Sequence, residues 1–232
     1  MKRAYDQYRT THADFLRGPR ATAENLHQLL GLLEPYKGGA ILEIGCGGGE
    51  LIAALRNIGF SNVIGVDGSE EQVSAAKASG IPVMFGDVTE FLMKTENLFD
   101  VILAIDLLEH LEAEDLLDTT LSAFDCLAPG GIFVARLPNP QSPFGGAIAF
   151  GDLTHRTHLA PSAALQLFRL SGFLEIEILP CSPAPAGWRR YVRRKLWRVQ
   201  QRVFRMMFSI ESGLKTQTVF SLTYLTVGRK KT

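Results

Sequence analysis

The chain has no run of eighteen apolar residues among its 232, which excludes a membrane-spanning helix of ordinary length. Its opening, Met1-Lys2-Arg3-Ala4-Tyr5-Asp6, has no apolar core of the kind a secretory leader carries, so a cytoplasmic location is expected. Cysteine is scarce. Cys46, Cys126 and Cys181 lie far apart without metal-type spacing, and are expected to be small buried side chains in a reducing compartment rather than disulfide partners. Net charge is absent too, with 24 basic residues against 24 acidic ones. That balance hides a local lack. Residues 188–208 contain eight Arg/Lys and no acid, leaving 16 of the basic residues to face all 24 acids elsewhere. No internal repeat and no low-complexity tract is found, so solenoid and linker-like architectures drop out.

What is present is an alternation of strand and helix patterns. Polar residues with scattered aromatics lead in over 1–20, and Leu26, Leu29, Leu30 and Leu33 sit at helical spacing within Thr22–Leu33, stopped by Pro35 and Gly38-Gly39. A short apolar run, Ile41-Leu42-Glu43-Ile44, then meets the glycine cluster Gly45-Cys46-Gly47-Gly48-Gly49, and a helix is predicted from Glu50 to Gly59. Strands are predicted at Asn62–Asp67, Pro82–Asp87, Phe99–Ala104 and Ile132–Leu137. Helices are predicted at Ser69–Ser79 with Ser69 as N-cap, at Thr89–Lys94 and at Glu112–Leu127, the last stopped by Pro129-Gly130-Gly131. A Pro/Gly-rich loop over 138–160 leads to a helix at Pro161–Leu170, and the last two strands are predicted at Phe173–Leu179 and Thr218–Val227. Short connections between alternating elements imply a parallel sheet covered on both faces.

The glycine cluster departs from the dinucleotide fingerprint G-x-G-x-x-G: Gly45 and Gly47 fit, but Glu50 holds the third glycine position. What does fit is E-x-G-x-G-x-G, from Glu43 through Gly45 and Gly47 to Gly49. Val66-Asp67, Gly86-Asp87, Phe99-Asp100-Val101-Ile102 and Leu127-Ala128-Pro129-Gly130-Gly131 follow in order. Over roughly residues 38–180 this set resembles the class I S-adenosylmethionine (SAM) methyltransferases. The resemblance implies an α/β, doubly wound, Rossmann-like seven-stranded sheet whose last strand is antiparallel, here with an amphipathic helical insertion between strands six and seven. One domain over 1–232 is expected: a lead-in or lid (1–36, with Tyr5, Tyr8 and Arg17 folding over the cofactor), a SAM-binding core (37–180), the basic insertion (182–213) and a last strand (214–232).

In an open α/β sheet the ligand lies beyond the carboxyl ends of the strands. Asp67, 22 residues after Gly45, is placed to accept both ribose hydroxyls, because two carboxylate oxygens match two adjacent donors. Its alternative role is to cap the following helix. Gly86, Asp87 and Val88 would read the adenine edge, with helix capping as the alternative for Asp87. Glu43 would meet the ligand's ammonium directly or through water, and Cys46, Gly68, Ile105 and Asp106 complete the expected cofactor set.

Methyl transfer from a sulfonium needs alignment above all, and an oxygen acceptor must also lose a proton. His155, in Gly151-Asp152-Leu153-Thr154-His155-Arg156-Thr157-His158, is the first candidate base, since a neutral imidazole suits proton transfer near physiological pH; His158 and His110 are the reserves. Pro138-Asn139-Pro140 is expected to shape the acceptor pocket. Some relatives, small-RNA 2′-O-methyltransferases and ubiquinone-pathway O-methyltransferases among them, bind a divalent ion through E-x-x-E-H. This chain has Asp106-x-x-Glu109-His110, with a shorter first ligand, so no metal is expected and that trio is the alternative. The segment Asp152-Leu153-Thr154-His155-Arg156 is similar to loops of bacterial methyltransferases of surface-polysaccharide and secondary-metabolite pathways. The acceptor is therefore expected to be a hydroxyl on a sugar, a lipid-linked glycan or a prenylated small molecule. N- or C-methylation of a metabolite is the alternative, and a non-catalytic SAM-binding or scaffold protein stands as the contrasting class.

The basic segment places Trp188, Val192, Leu196, Val199, Val203, Met206/Met207 and Ile210 on one helical stripe, widened by Trp197, Phe204 and Phe208, with arginines opposite. Such a helix can lie in an anionic membrane surface, giving a peripheral location. It can equally pack on the core or pair with a second copy. The acidic remainder of the chain argues against nucleic acid.

Overall fold

The computed structural model describes residues 19–183, 187–213 and 218–232, with the side chains of 19–25 excepted. Tyr5, Tyr8 and Arg17, expected to form a lid, lie outside the described residues. In chain order the elements are α1 (Pro19–Leu33), a 3₁₀ turn (Glu34–Tyr36), β1 (Ile41–Ile44), α2 (Glu50–Asn57), β2 (Val63–Asp67), α3 (Glu70–Ala78), β3 (Val83–Phe85), α4 (Val88–Lys94) and β4 (Phe99–Ile105). There follow a 3₁₀ turn (Leu108–His110), α5 (Ala113–Asp125), β5 (Leu127–Pro138), the short α6 (Gly146–Ala149), α7 (Pro161–Leu170), β6 (Glu175–Pro180), α8 (Gly187–Ser212) and β7 (Thr223–Arg229).

The seven strands form one sheet in the order β3-β2-β1-β4-β5-β7-β6, with β7 antiparallel to both its neighbours and the other pairs parallel. Central strands read as continuous apolar runs because both faces are covered: Val101, Ile102, Leu103 and Ala104 of β4 are all fully buried. Alternation then divides them. Leu42, Ile44, Ile102, Ala104 and Phe133 join one core, under α4, α5 and α7, while Ile41, Val63, Val101, Leu103 and Ile132 join the other, with α1, α2 and α3. The chain leaves β1 toward β2 and β3, then returns to the other side of β1 with β4 and β5. The switch point thus falls between the carboxyl ends of β1 and β4, where a crevice for ligand opens.

Several boundaries differ from the sequence reading by a few residues, and three of the differences have a visible cause. Pro129-Gly130-Gly131 does not end a helix in open loop; it lies inside β5 as an irregularity between the pairs Phe99↔Leu127 and Val101↔Ile132. Gly130 takes φ +79°, its carbonyl accepts from Tyr36 Oη (3.0 Å), and its N–H donates to the Lys230 carbonyl (3.0 Å), so the kink is tied on both sides. β6 starts at Glu175 because Phe173 turns inward, ringed by Phe124, Phe133 and Phe168. β7 starts at Thr223, since Val219 and Ser221 first give their carbonyls to the buried Asn139 amide (2.9 Å each).

Candidate active site

At the carboxyl end of β1 the chain makes its tightest turn. Gly45, Gly47 and Gly49 take φ of 67°, 54° and 76°, a region that side chains rarely adopt. At Gly45 a Cβ would also stand 2.6 Å from Leu107 Cδ1, and at Gly49 2.7 Å from Ile81 Cγ2. Asp67, ending β2, braces this turn: Oδ2 accepts from Gly47 N–H (2.7 Å) and Oδ1 from Ser69 N–H (2.8 Å). Each oxygen keeps a further acceptor site, so the bracing leaves Asp67 able to take two hydroxyls. Ser69, not Asp67, caps α3, through Gln72 N–H (3.5 Å).

Beyond Asp67 the floor is open. A Cβ at Gly68 would meet only the Gly86 carbonyl at 3.8 Å, and one at Gly86 would meet nothing within 4 Å. Gly86 N–H donates to the Asp67 carbonyl (3.1 Å), which holds these two strand ends side by side. Asp87 caps α4 through Oδ1 to Glu90 N–H (2.9 Å), and Val88 is buried behind it. Glu43 is buried within β1. Cys46 is buried as well; burial first, then the charges of Glu43 and Asp67, push its thiol far above the ordinary range, so it is not a nucleophile. All three cysteines are buried and unbonded, as expected. The braced turn, the carboxylate with spare acceptor sites and the open Gly68–Gly86 floor together fit an adenosine-bearing ligand.

Across the switch point, Ile105 closes β4 and is buried. Asp106 follows with φ +53°, the one non-glycine residue in that region among those described. Such a conformation costs on the order of 1–3 kcal/mol. A two-point pair with Arg136 of β5 offsets it: Arg136 Nε donates to Oδ1 (2.8 Å) and Nη2 donates to Oδ2. A lone arginine in the strand pattern Ile132–Leu137 signals that such a buried partner must exist, and sequence reasoning passed over it.

Asp106 is therefore not gathered with Glu109 and His110. The third member is instead His155: a ligand atom from each of Glu109, His110 and His155 lies within 4.8 Å of the others'. The loop carrying His155 is clipped to the 3₁₀ turn, where the Glu109 carbonyl accepts from Arg156 N–H (2.7 Å) and Thr157 N–H (3.1 Å). Arg156 also reaches Glu112 (3.0 Å) and Tyr224 Oη donates to the Leu159 carbonyl (2.8 Å). His155 Nδ1–H donates to the Ala149 carbonyl (2.9 Å), which leaves the lone pair on Nε2, 4.0 Å from Asp152 Oδ2. Thr154 Oγ1 donates to Asp152 Oδ1 (2.6 Å), so its oxygen and its carbonyl are acceptors for His110 Nδ1–H (3.0 and 3.3 Å). The two rings meet edge to face with centroids 4.8 Å apart.

Burial, and then His155, lower the His110 pKa to about 4, so it is neutral at pH 7. Burial, and then Asp106, hold Glu109 well above the ordinary carboxylate range, and its Oε2 is buried without a hydrogen-bond partner. His158 is not part of this group; it is exposed and lies against Phe150 (4.3 Å). Asn139, expected to line the acceptor pocket, is fully buried and serves as the clamp on residues 219–221.

The family model described as a methyltransferase domain matches residues 13–204. Two ubiquinone biosynthesis O-methyltransferases, from Rhizobium etli and Roseobacter denitrificans, are 38% identical over 109 residues and 34% over 116, covering 44% and 47% of this chain. The matches span 43% and 46% of those proteins, so the chain matches less than half the length of its curated relatives. Among solved structures, a SAM-dependent methyltransferase from Archaeoglobus fulgidus superposes with TM-score 0.70 at 21% identity, over 97% of this chain and 100% of its own. Magnesium protoporphyrin IX methyltransferase from Synechocystis, solved with bound SAH, gives TM-score 0.61 at 15% identity over 99% and 96%. Those two likenesses concern the fold; the family match covers most of the sequence. The chain belongs to the class I SAM-dependent methyltransferases, and S-adenosyl-L-methionine is its cofactor.

Proposed function

We propose that this methyltransferase acts on oxygen, methylating a hydroxyl of a small molecule, with prenylated compounds, sugars and lipid-linked glycans as the acceptor range. The observation that carries the reading is His155: its Nδ1 proton is spent on Ala149 and its Nε2 lone pair is kept, with Asp152 Oδ2 4.0 Å from that nitrogen. An amine acceptor can attack as the neutral base, whereas a hydroxyl needs such a proton acceptor. The acceptor would be held at the carboxyl ends of β4 and β5, in the cytoplasm, where three unbonded thiols are at home.

The cofactor, when bound, supplies an electrophilic methyl group on a sulfonium. Asp67 would hold its ribose hydroxyls, the Gly45–Gly49 turn would cradle the amino-acid end with Glu43 and Cys46 behind it, and Gly68, Gly86, Asp87, Val88, Ile105 and Asp106 would bound the adenosine. Arg136 fixes Asp106 so that this wall does not move. Thr154 and Asp152 orient His110 beside the base.

The reading is tested by supplying SAM with paired hydroxyl and amine acceptors and weighing the products by mass spectrometry. Transfer to the hydroxyl that fails in His155→Ala supports it; transfer to amines alone, or an unaffected His155→Ala, overturns it. A second reading, metal-assisted deprotonation, is favoured by the Glu109–His110–His155 group, with Glu109 buried and the two histidines half-buried. Activity lost to a chelator and restored by Mg²⁺ or Mn²⁺ would select it.

A further inference from the structure

Helix α8 divides its residues in a way the sequence stripe did not foretell. Positions 190, 194, 197, 201, 204 and 208 form the half-buried to buried line that docks on the body. Gln201 is its anchor, buried, with Oε1 accepting from Phe220 N–H (3.2 Å). Phe204 and Phe208 pack against Phe220 (6.2 and 5.6 Å between centroids). The aliphatic stripe is left facing outward: Val192, Leu196, Val199, Val203, Met206 and Ile210 are each at least 41% exposed, and Trp188 is 74% exposed. Lys195, Arg198, Arg202 and Arg205 run along one edge of this stripe, and Arg189 and Arg193 along the other, all exposed. Eight cations and one acid, Glu211, lie on 26 residues.

We propose that this outward face lies in the surface of an anionic lipid bilayer, the stripe among the upper acyl chains and the arginine edges on the headgroups. Charge complementarity selects this occupant. A symmetric contact between two copies would set the same cationic edges against each other. Single-stranded nucleic acid binds through flat aromatic platforms, whereas this stripe is mostly aliphatic. A helix of 26 residues is about 39 Å long and lies flat, since among the described residues no helix is apolar enough to cross a membrane. Phe144, in the loop that leads to His155, is 58% exposed and touches Phe204, 6.0 Å between centroids. Binding through α8 therefore brings the acceptor side of the site to the lipid surface, where an acceptor with a lipid tail is presented. This last step rests on the acceptor reading above; the binding itself does not.

The chain's two tryptophans, Trp188 and Trp197, both lie in α8, one outward and one half-buried. In a Trp197→Phe background Trp188 alone reports. With vesicles of phosphatidylcholine and phosphatidylglycerol at low salt, its emission should shift to the blue and the protein should sediment with the lipid, at least about tenfold more than with phosphatidylcholine alone. Rising salt should release only part. Arg198→Glu/Arg202→Glu/Arg205→Glu should remove the salt-sensitive fraction, and Leu196→Ser/Val199→Ser/Val203→Ser the salt-resistant one. Both variants change exposed positions, and their SAM affinity should match the parent, which certifies the fold. No sedimentation with anionic vesicles at low salt overturns the proposal, as does a dimer that the serine variant dissolves or an oligonucleotide complex that competes lipid away. Methyl transfer to a soluble acceptor without vesicles should persist in both variants; its absence in the parent would count against the acceptor reading instead.

Discussion

The two sides of the switch point are built by different means. On the β1–β2–β3 side the site is largely backbone: a left-handed glycine turn, strand-end N–H groups and one carboxylate, Asp67, that ties Gly47 to Ser69. On the β4–β5 side it is side chains brought from separate segments, Glu109 and His110 from the turn after β4 and His155 from 45 residues later. The first side can recognise one ligand shape and little else, because backbone positions cannot be exchanged. On the proposed reading, Glu109, His110 and His155 of the second can be altered without touching the first.

That contrast can be broken most sharply at the turn. Gly47→Val places a β-branched residue at φ +54°, and no SAM binding should be measurable by calorimetry in a variant that still folds. On the other side, His155→Ala should lower kcat by roughly 10²–10⁴, the range for a lost general base, with SAM affinity kept. Asp67→Ala should weaken SAM by about 1.5–3 kcal/mol, as for a lost hydrogen bond to a charged group, read by the same titration.

A smaller effect probes the Glu109–His110 pair by pH. His110, at about 4 in the folded protein and 6.5 when unfolded, takes up its proton more readily unfolded, so its contribution is intact above 6.5 and falls as pH drops toward 4. Glu109, raised in the folded state, acts oppositely: its contribution is present at low pH and is lost as pH rises through its folded value. In chelator-treated Glu109→Gln only the His110 contribution of this pair remains, and denaturant titrations should show a loss of about 3 kcal/mol from it between pH 6.5 and 4. The parent should lose less.

The same contrast explains what the sequence disclosed. The strand–helix alternation, the glycine turn and Asp67 follow from local pattern and spacing, since the groups that make that side are near neighbours in the chain or end adjacent strands. The acceptor side was legible in parts only. His110 and His155 were singled out separately, but nothing local says that they meet edge to face, or that Arg136 takes Asp106 away from the Glu109–His110 pair. Asn139 read as a pocket residue because Pro138 and Pro140 flank it, yet its amide is consumed by carbonyls some 80 positions away. Likewise α8 read as one broad stripe. Phe204 and Phe208 separate from Val199 and Val203 only once Phe220 gives the aromatic residues something to pack on.

Independence of the two sides is the central claim, and one titration tests it. SAM affinity should be measured in a Glu109→Gln/His110→Gln/His155→Gln variant alongside methyl transfer to a hydroxyl acceptor. The account predicts affinity within about twofold of the parent with transfer abolished, because none of the three substituted residues is among those proposed to bound the cofactor. A parallel collapse of SAM binding in a folded variant would contradict it.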